Sequence, residues 1–156
     1  MSDSYGPGQG PPPRVTSERE LSDLLSSQTF GALATNKSSG HPHLSTVIYT
    51  WDPEQQVVRV STVAGRAKVR QLQKDPRAAL YVASSDFISF AVAEGEAELS
   101  PESTEPGDEV GMELLAMQPG FEQPQDELAF LRQMVADRRL VIRLRVRRLY
   151  GTALDG

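Results

Sequence analysis

Between Arg59 and Arg77 the chain reads Arg-Val-Ser-Thr-Val-Ala-Gly-Arg-Ala-Lys-Val-Arg-Gln-Leu-Gln-Lys-Asp-Pro-Arg. Ser61 and Thr62 close a β-branched run, Gly65 supplies a turn, and Arg66 and Lys68 open a short helix that Pro76 ends. The first amides of a helix have no acceptor within it and form a partial positive pole. Hydroxyls, an arginine and a lysine beside that pole suit a phosphate. The segment carries neither the Gly-x-x-x-x-Gly-Lys-Ser/Thr nor the Gly-x-Gly-x-x-Gly pattern of nucleotide loops. A solvated amphipathic helix, with Val69 and Leu72 inward and Arg66, Lys68, Arg70 and Lys74 in water, accounts for the same residues equally well.

Other chemistry-bearing groups are sparser. His41 and His43 are the only histidines; they flank Pro42 and lack a third ligand at zinc spacing, so no metal site is expected. Ser45, His43 and Asp52 lack the glycine-flanked elbow that presents a nucleophilic serine. Tyr49 and Trp51 share one face of a strand and Thr46, Ile48 and Thr50 the other, so a single set can meet a ligand. Trp51 is expected in the core. Glu94-Gly95-Glu96 either presents a carboxylate or marks a bend, with the bend favoured. The absence of cysteine excludes disulfides, thiol catalysis, iron–sulfur clusters and thiolate zinc.

Charge is unevenly placed. The net charge is -5, but residues 101 to 127 hold eight acids and no Lys or Arg, which leaves the rest of the chain at -5 + 8 = +3. Residues 59 to 77 carry six bases against Asp75, a local +5 that can steer a small polyanion. A pI of about 5.1 and the lack of an aromatic-studded RNA-binding strand argue against a nucleic-acid partner. No apolar run reaches the roughly 18 residues of a membrane span, and no signal peptide opens the chain, so a cytoplasmic location without a membrane partner is expected.

These groups must be positioned by a frame of strands. Residues 1 to 14, rich in Gly and Pro, read as a disordered tail, and residues 15 to 156 as one domain. Ser17-Glu18-Arg19-Glu20 fits a capping box for a helix over 17 to 26, with Leu21, Leu24 and Leu25 on one side. Strands are predicted at 30–35, 44–51, 56–62, 78–83, 88–99 and 139–149, with a bulge or bend at Glu94-Gly95. Helices are predicted at 109–117 and 125–136. In the last strand Leu140, Ile142, Leu144 and Val146 alternate with a basic face, which either joins the anion site or only meets solvent, the second being favoured. One long helix, six strands and hairpin turns argue for a mainly β, antiparallel, closed or nearly closed barrel with peripheral helices.

Several pieces then align with a known family. Phe30-Gly31-Ala32-Leu33-Ala34-Thr35, Gly40-His41-Pro42-His43-Leu44-Ser45, Tyr49-Thr50-Trp51-Asp52, Val60-Ser61, Gly65-Arg66-Ala67-Lys68-Val69-Arg70, Asp75-Pro76-Arg77-Ala78, Val92-Ala93-Glu94-Gly95 and Tyr150-Gly151 keep its order and spacing. The chain resembles the pyridoxamine 5′-phosphate oxidase-like split β-barrel superfamily, and more closely its subgroup that binds the deazaflavin coenzyme F420. The resemblance implies an FMN-binding-type split barrel with Greek-key-like connections, and a cytoplasmic homodimer with two cofactor sites at the subunit interface. It assigns Ser61, Thr62, Arg66, Ala67, Lys68 and Gln71 to the cofactor's phosphate and attached tail. The ring is expected against the Val63 to Gly65 backbone, with Thr46, Ile48, Ile88 and Phe90 as walls. Where the flavin oxidases of the superfamily carry an Arg-x-Val-Leu-Leu-Lys run, this chain has Thr46-Val47-Ile48-Tyr49-Thr50, so two cationic flavin contacts are missing. That favours the deazaflavin over FMN. The implied activity is hydride transfer from reduced F420 to an electron-poor small molecule, with solvent or Tyr49 returning the proton. An FMN-dependent oxidoreductase and a carrier protein with little turnover are the alternatives.

Overall fold

The computed structural model describes residues 13–14 and 16–154. The predicted tail lies outside them as far as residue 12; its last two residues, Pro13–Arg14, form a short strand, β1, against the C-terminal strand. The capping box then opens α1 (Glu18–Ser27), where the Ser17 hydroxyl accepts from the Glu20 amide at 3.2 Å. Three strands follow in a meander: β2 (Phe30–Asn36), β3 (Pro42–Asp52) and β4 (Val57–Val63). The turn between the last two is built by Asp52, whose carboxylate accepts from the amides of Glu54 and Gln55. Next come α2 (Ala67–Lys74), β5 (Arg77–Ala83) and β6 (Phe90–Leu99). The acidic segment supplies α3 (Glu109–Ala116) and α4 (Pro124–Ala136), and β7 (Arg139–Leu154) ends the chain.

The strands lie in the order β7-β4-β3-β2-β5-β6, and β6 pairs back to β7, closing a six-stranded antiparallel barrel. After the meander β2-β3-β4, the chain returns through α2 to place β5 beside β2, a Greek-key path. The barrel is split on one side. β3 and β4 pair only from Tyr49–Asp52 to Val57–Val60; beyond that, β4 continues on β7 alone and β3 on β2 alone. The parting makes room for the turn into α2.

Alternation fills the interior. Leu33, Val58, Val60, Leu80, Val82, Ile142 and Leu144 are all buried within one cluster. Leu21 and Leu25 of α1 join it at the end where Tyr49 and Trp51 lie, and Val69 and Leu72 of α2 join it where Thr35 and His43 lie. A second cluster (Val110, Leu114, Met134 and Val141) seats the α3–α4 hairpin on the outside of β7. The predicted bulge is present: Glu94 pairs with Arg148 but Gly95 with Val146, leaving Arg147 as the extra residue. β7 runs five residues past the predicted end because Gly151 and Thr152 still have partners in Ala91 and Phe90.

Candidate functional site

The segment from Arg59 to Arg77 adopts the strand, turn and helix read from its sequence. Gly65 sits at φ +92°, a left-handed conformation that costs a residue with a side chain, although a Cβ there would touch nothing within 4 Å. Arg70 reaches back and donates to the Gly65 carbonyl, tying the turn to the helix. Arg66 is the N-cap residue of α2 and offers no side-chain cap. Among the described residues no acceptor meets the amides of Ala67 and Lys68, so the positive end of the helix stays open.

Around that end Arg66 and Lys68 have no counter-ion among the described residues. No carboxylate of the described residues lies within 4.0 Å of Arg66 or Lys68. Burial pulls the Lys68 ammonium below its ordinary pKa, and the positive charges of Arg66 and Arg139 pull it further. Arg139 is thus a member of the cluster that the sequence reading passed over. It belongs to the basic last strand, but its neighbours there are spoken for: Arg143 bonds Glu113 and Glu98, and Arg145 bonds Glu98.

The six residues assigned from the sequence do not all converge. Ser61 lies on the outer face of β4 and lines a cleft of about 550 Å³ with Ile48, Thr50 and Arg139, roofed by Met117, Phe130 and Met134 of the α3–α4 hairpin. Thr62 points the opposite way and is 3% exposed, so its hydroxyl and that of Ser61 cannot meet one phosphate. Ala67 and Gln71 line a different, polar cavity of about 660 Å³ between α2 and the β2–β3 turn, with Lys37, Ser38, Arg70 and Lys74. There the Gln71 carbonyl oxygen is held by the Thr35 hydroxyl at 2.6 Å and by His43 Nδ1 at 2.8 Å, which fixes the side-chain amide in place. The polar cavity reaches the first residue of α2, whereas no residue of that helix lines the cleft.

Of the expected ring walls, Ile48 lines the cleft beside Ser61, while Thr46 borders a shallower hollow with Phe30 and Tyr81. Phe90 stacks on Tyr81, with centroids 5.4 Å apart, and β6 stands three strands round from β3. The Tyr49 hydroxyl is corrected as a proton source: it is directed inward, 4% exposed, and donates to the Leu25 carbonyl at 2.5 Å. Burial raises its pKa well above the phenolic range. Trp51 also faces in, as expected, and donates to Ser22 at 2.8 Å.

The acidic segment shapes the cleft from one side, and an ion-pair node pins it down. Glu113 of α3 accepts from Arg59 at 2.9 Å and from Arg143 at 2.5 and 2.8 Å, with all three side chains largely buried. Hydrogen bonds from Arg143 hold its carboxyl below the ordinary value of 4.5, against the upward push of burial, and Arg59 adds to the lowering. A lowered folded pKa contributes stability that is complete above 4.5 and is lost as pH falls through the folded value. Glu113→Gln is therefore expected to cost about 2 kcal/mol at neutral pH, the size of a hydrogen bond to a charged group, and to flatten the fall of Tm below about pH 4.5. Parallel acid limbs in the two proteins would contradict this.

A family model described as pyridoxamine 5′-phosphate oxidase matches residues 17–153. Among solved structures, a conserved hypothetical protein from Mycobacterium tuberculosis is similar at 26% identity, over 89% of this chain and 86% of its own, with a TM-score of 0.69. A protein described as an F420 reductase is similar at 24% identity over 82% and 94%, TM-score 0.59. A FAD-binding protein from Mesorhizobium loti is similar at 17% identity over 94% and 100%, TM-score 0.64. The last two likenesses are of fold.

Proposed function

Because the chain belongs to the pyridoxamine 5′-phosphate oxidase family, whose members are oxidoreductases of flavin and deazaflavin type, we propose that it is an F420-dependent reductase. The observation that carries this reading is the open end of α2: amides at Ala67 and Lys68 beside Arg66 and Lys68, with no acceptor and no carboxylate among the described residues to meet them. That donor set fits a phosphate. Thr62, buried on the far face of β4, contributes to the site through packing, and Gln71 lies one turn on, where the polar cavity with Lys37, Arg70 and Lys74 suits an acidic tail.

The choice of deazaflavin over FMN is supported by the outer face of β3. Thr46, Ile48 and Thr50 stand there, and the run from Thr46 to Thr50 holds no cation, unlike the Arg-x-Val-Leu-Leu-Lys run of the superfamily's flavin oxidases. When bound, the reduced deazaflavin supplies a hydride to an electron-poor organic substrate. The chain's own part is positional. Arg66 and Lys68 hold the phosphate, Ile48 and Thr50 wall the cleft, and Met117, Phe130 and Met134 keep its roof apolar and low in water. With Tyr49 turned into the core, solvent returns the proton.

The second copy of a homodimer has a surface to cover. Phe30, Leu44 and Ile48 are 61%, 65% and 60% exposed on the outer face of β2 and β3, and Tyr81 extends the patch onto β5. Sedimentation should return twice 17.1 kDa; a monomer would remove the interface from the proposal.

Titration of purified apo-protein with F420 and with FMN, followed by fluorescence, tests the cofactor. Micromolar F420 binding is expected, at least tenfold tighter than FMN. A yellow protein that purifies with FMN, or tighter FMN binding, would transfer the proposal to a flavin. Binding of F420 without oxidation of its reduced form by quinones or enones would leave a carrier.

A further inference from the structure

Arg139 opens β7 opposite Val63, and the Ala64 amide donates to the Arg138 carbonyl at 3.0 Å. The start of the last strand is thereby stitched to the turn that leads into α2. From there the Arg139 side chain enters the cleft beside Ser61. Its Nε is buried and, among the described residues, has no hydrogen-bond partner. Among the described residues the carboxylate of Asp137 comes to 4.0 Å, too far for a hydrogen bond, and its other oxygen is taken by Gln133 at 2.7 Å. On the same strand Arg143 bonds Glu113 and Glu98 and Arg145 bonds Glu98, and among the described residues Arg139 Nε is the one buried side-chain nitrogen left without a hydrogen bond.

A buried guanidinium N–H with nothing to donate to is costly, and native chains keep such groups rare. The side chain as a whole is 32% exposed, so a ligand oxygen in the cleft that draws the guanidinium round gives this Nε–H a partner and removes the cost. We propose that Arg139 is a ligand-binding residue, its guanidinium donating, with Ser61 beside it in the cleft, to the same phosphate that Arg66 and Lys68 hold at the start of α2. This rests on the phosphate reading above and extends it. The ligand is then gripped by one cation from the last strand as well as two from α2. A planar fork also distinguishes Arg139 from Lys68, because it fixes the direction of the phosphate and not only its charge.

The test compares two ligands in the intact apo-protein: F420 itself and its phosphate-free fragment, the deazaflavin whose ribityl chain ends in a hydroxyl. Arg139→Met keeps the apolar stem and removes the fork. Its F420 dissociation constant is expected to rise by about ten- to a hundredfold, while that of the fragment changes less than twofold. Arg139→Lys, which keeps the charge, should recover part of the loss. Equal weakening of both ligands would reduce Arg139 to a packing role and overturn the proposal. So would unchanged F420 binding by Arg139→Met alongside weakened binding by Lys68→Ala. Should wild-type protein bind F420 no better than the fragment, the phosphate reading itself falls, and this inference with it.

Discussion

Gly95→Ala is expected to cost about 4 kcal/mol or more, lowering Tm by more than about 8 °C, without touching any ligand. A Cβ at this position would stand 1.9 Å from the Arg145 carbonyl oxygen, 2.8 Å from its carbon and 3.1 Å from the Val146 Cα. All three atoms are backbone, so no side chain can swing aside. Both strands belong to a closed barrel, which cannot relieve the clash by letting an edge strand drift. The bulge that leaves Arg147 unpaired brings the two chains this close. Gly65→Ala provides the contrast: it has open space and a strained φ of +92°, so its cost should be about 1 to 2 kcal/mol. Chemical denaturation of both variants decides. A Gly95→Ala loss no larger than that of Gly65→Ala would mean that the bulge relaxes freely.

The bend at Gly95 was readable because a glycine between two glutamates interrupts an otherwise apolar strand, and local composition sufficed. The strands were readable for a similar reason: Leu140, Ile142, Leu144 and Val146 alternate with arginines, and that period admits one face inward. The strand, the turn at Gly65 and the helix α2 were legible from the residue types alone. The pairing of Ser61 with Thr62 as joint phosphate ligands failed on a rule already contained in the sequence, since neighbours on a strand face opposite sides. Arg139 was hidden for a different reason. Five arginines lie between positions 139 and 148, and Arg143 and Arg145 find their partners in Glu98 and Glu113, placed 30 to 47 residues away in the chain, while Arg139 keeps a buried Nε without a hydrogen bond among the described residues. The choice between Tyr49 and solvent as proton source turned on the same kind of long-range fact. The Tyr49 hydroxyl meets the Leu25 carbonyl only once α1 has docked across the end of the barrel.

Lys68→Ala is expected to weaken F420 binding at least tenfold while leaving the protein as stable as before, or slightly more so. One charge-assisted hydrogen bond contributes about 1.5 to 3 kcal/mol, which corresponds to roughly ten- to a hundredfold in affinity. The stability side follows from the surroundings of the ammonium. Lys68 is partly desolvated, stands in the field of Arg66 and Arg139, and has no carboxylate partner among the described residues. Each of these factors disfavours its charge in the folded state, so removing that charge relieves the fold. Alanine is also a good residue in the first turn of a helix. A cation kept where it opposes folding is what an anion site without its anion requires. Thermal unfolding of apo Lys68→Ala should give a midpoint no lower than that of the wild type. Addition of saturating F420 should then raise the wild-type midpoint and move that of the variant less. A variant that unfolds earlier without ligand yet binds F420 normally would identify Lys68 as a structural residue and place the phosphate elsewhere.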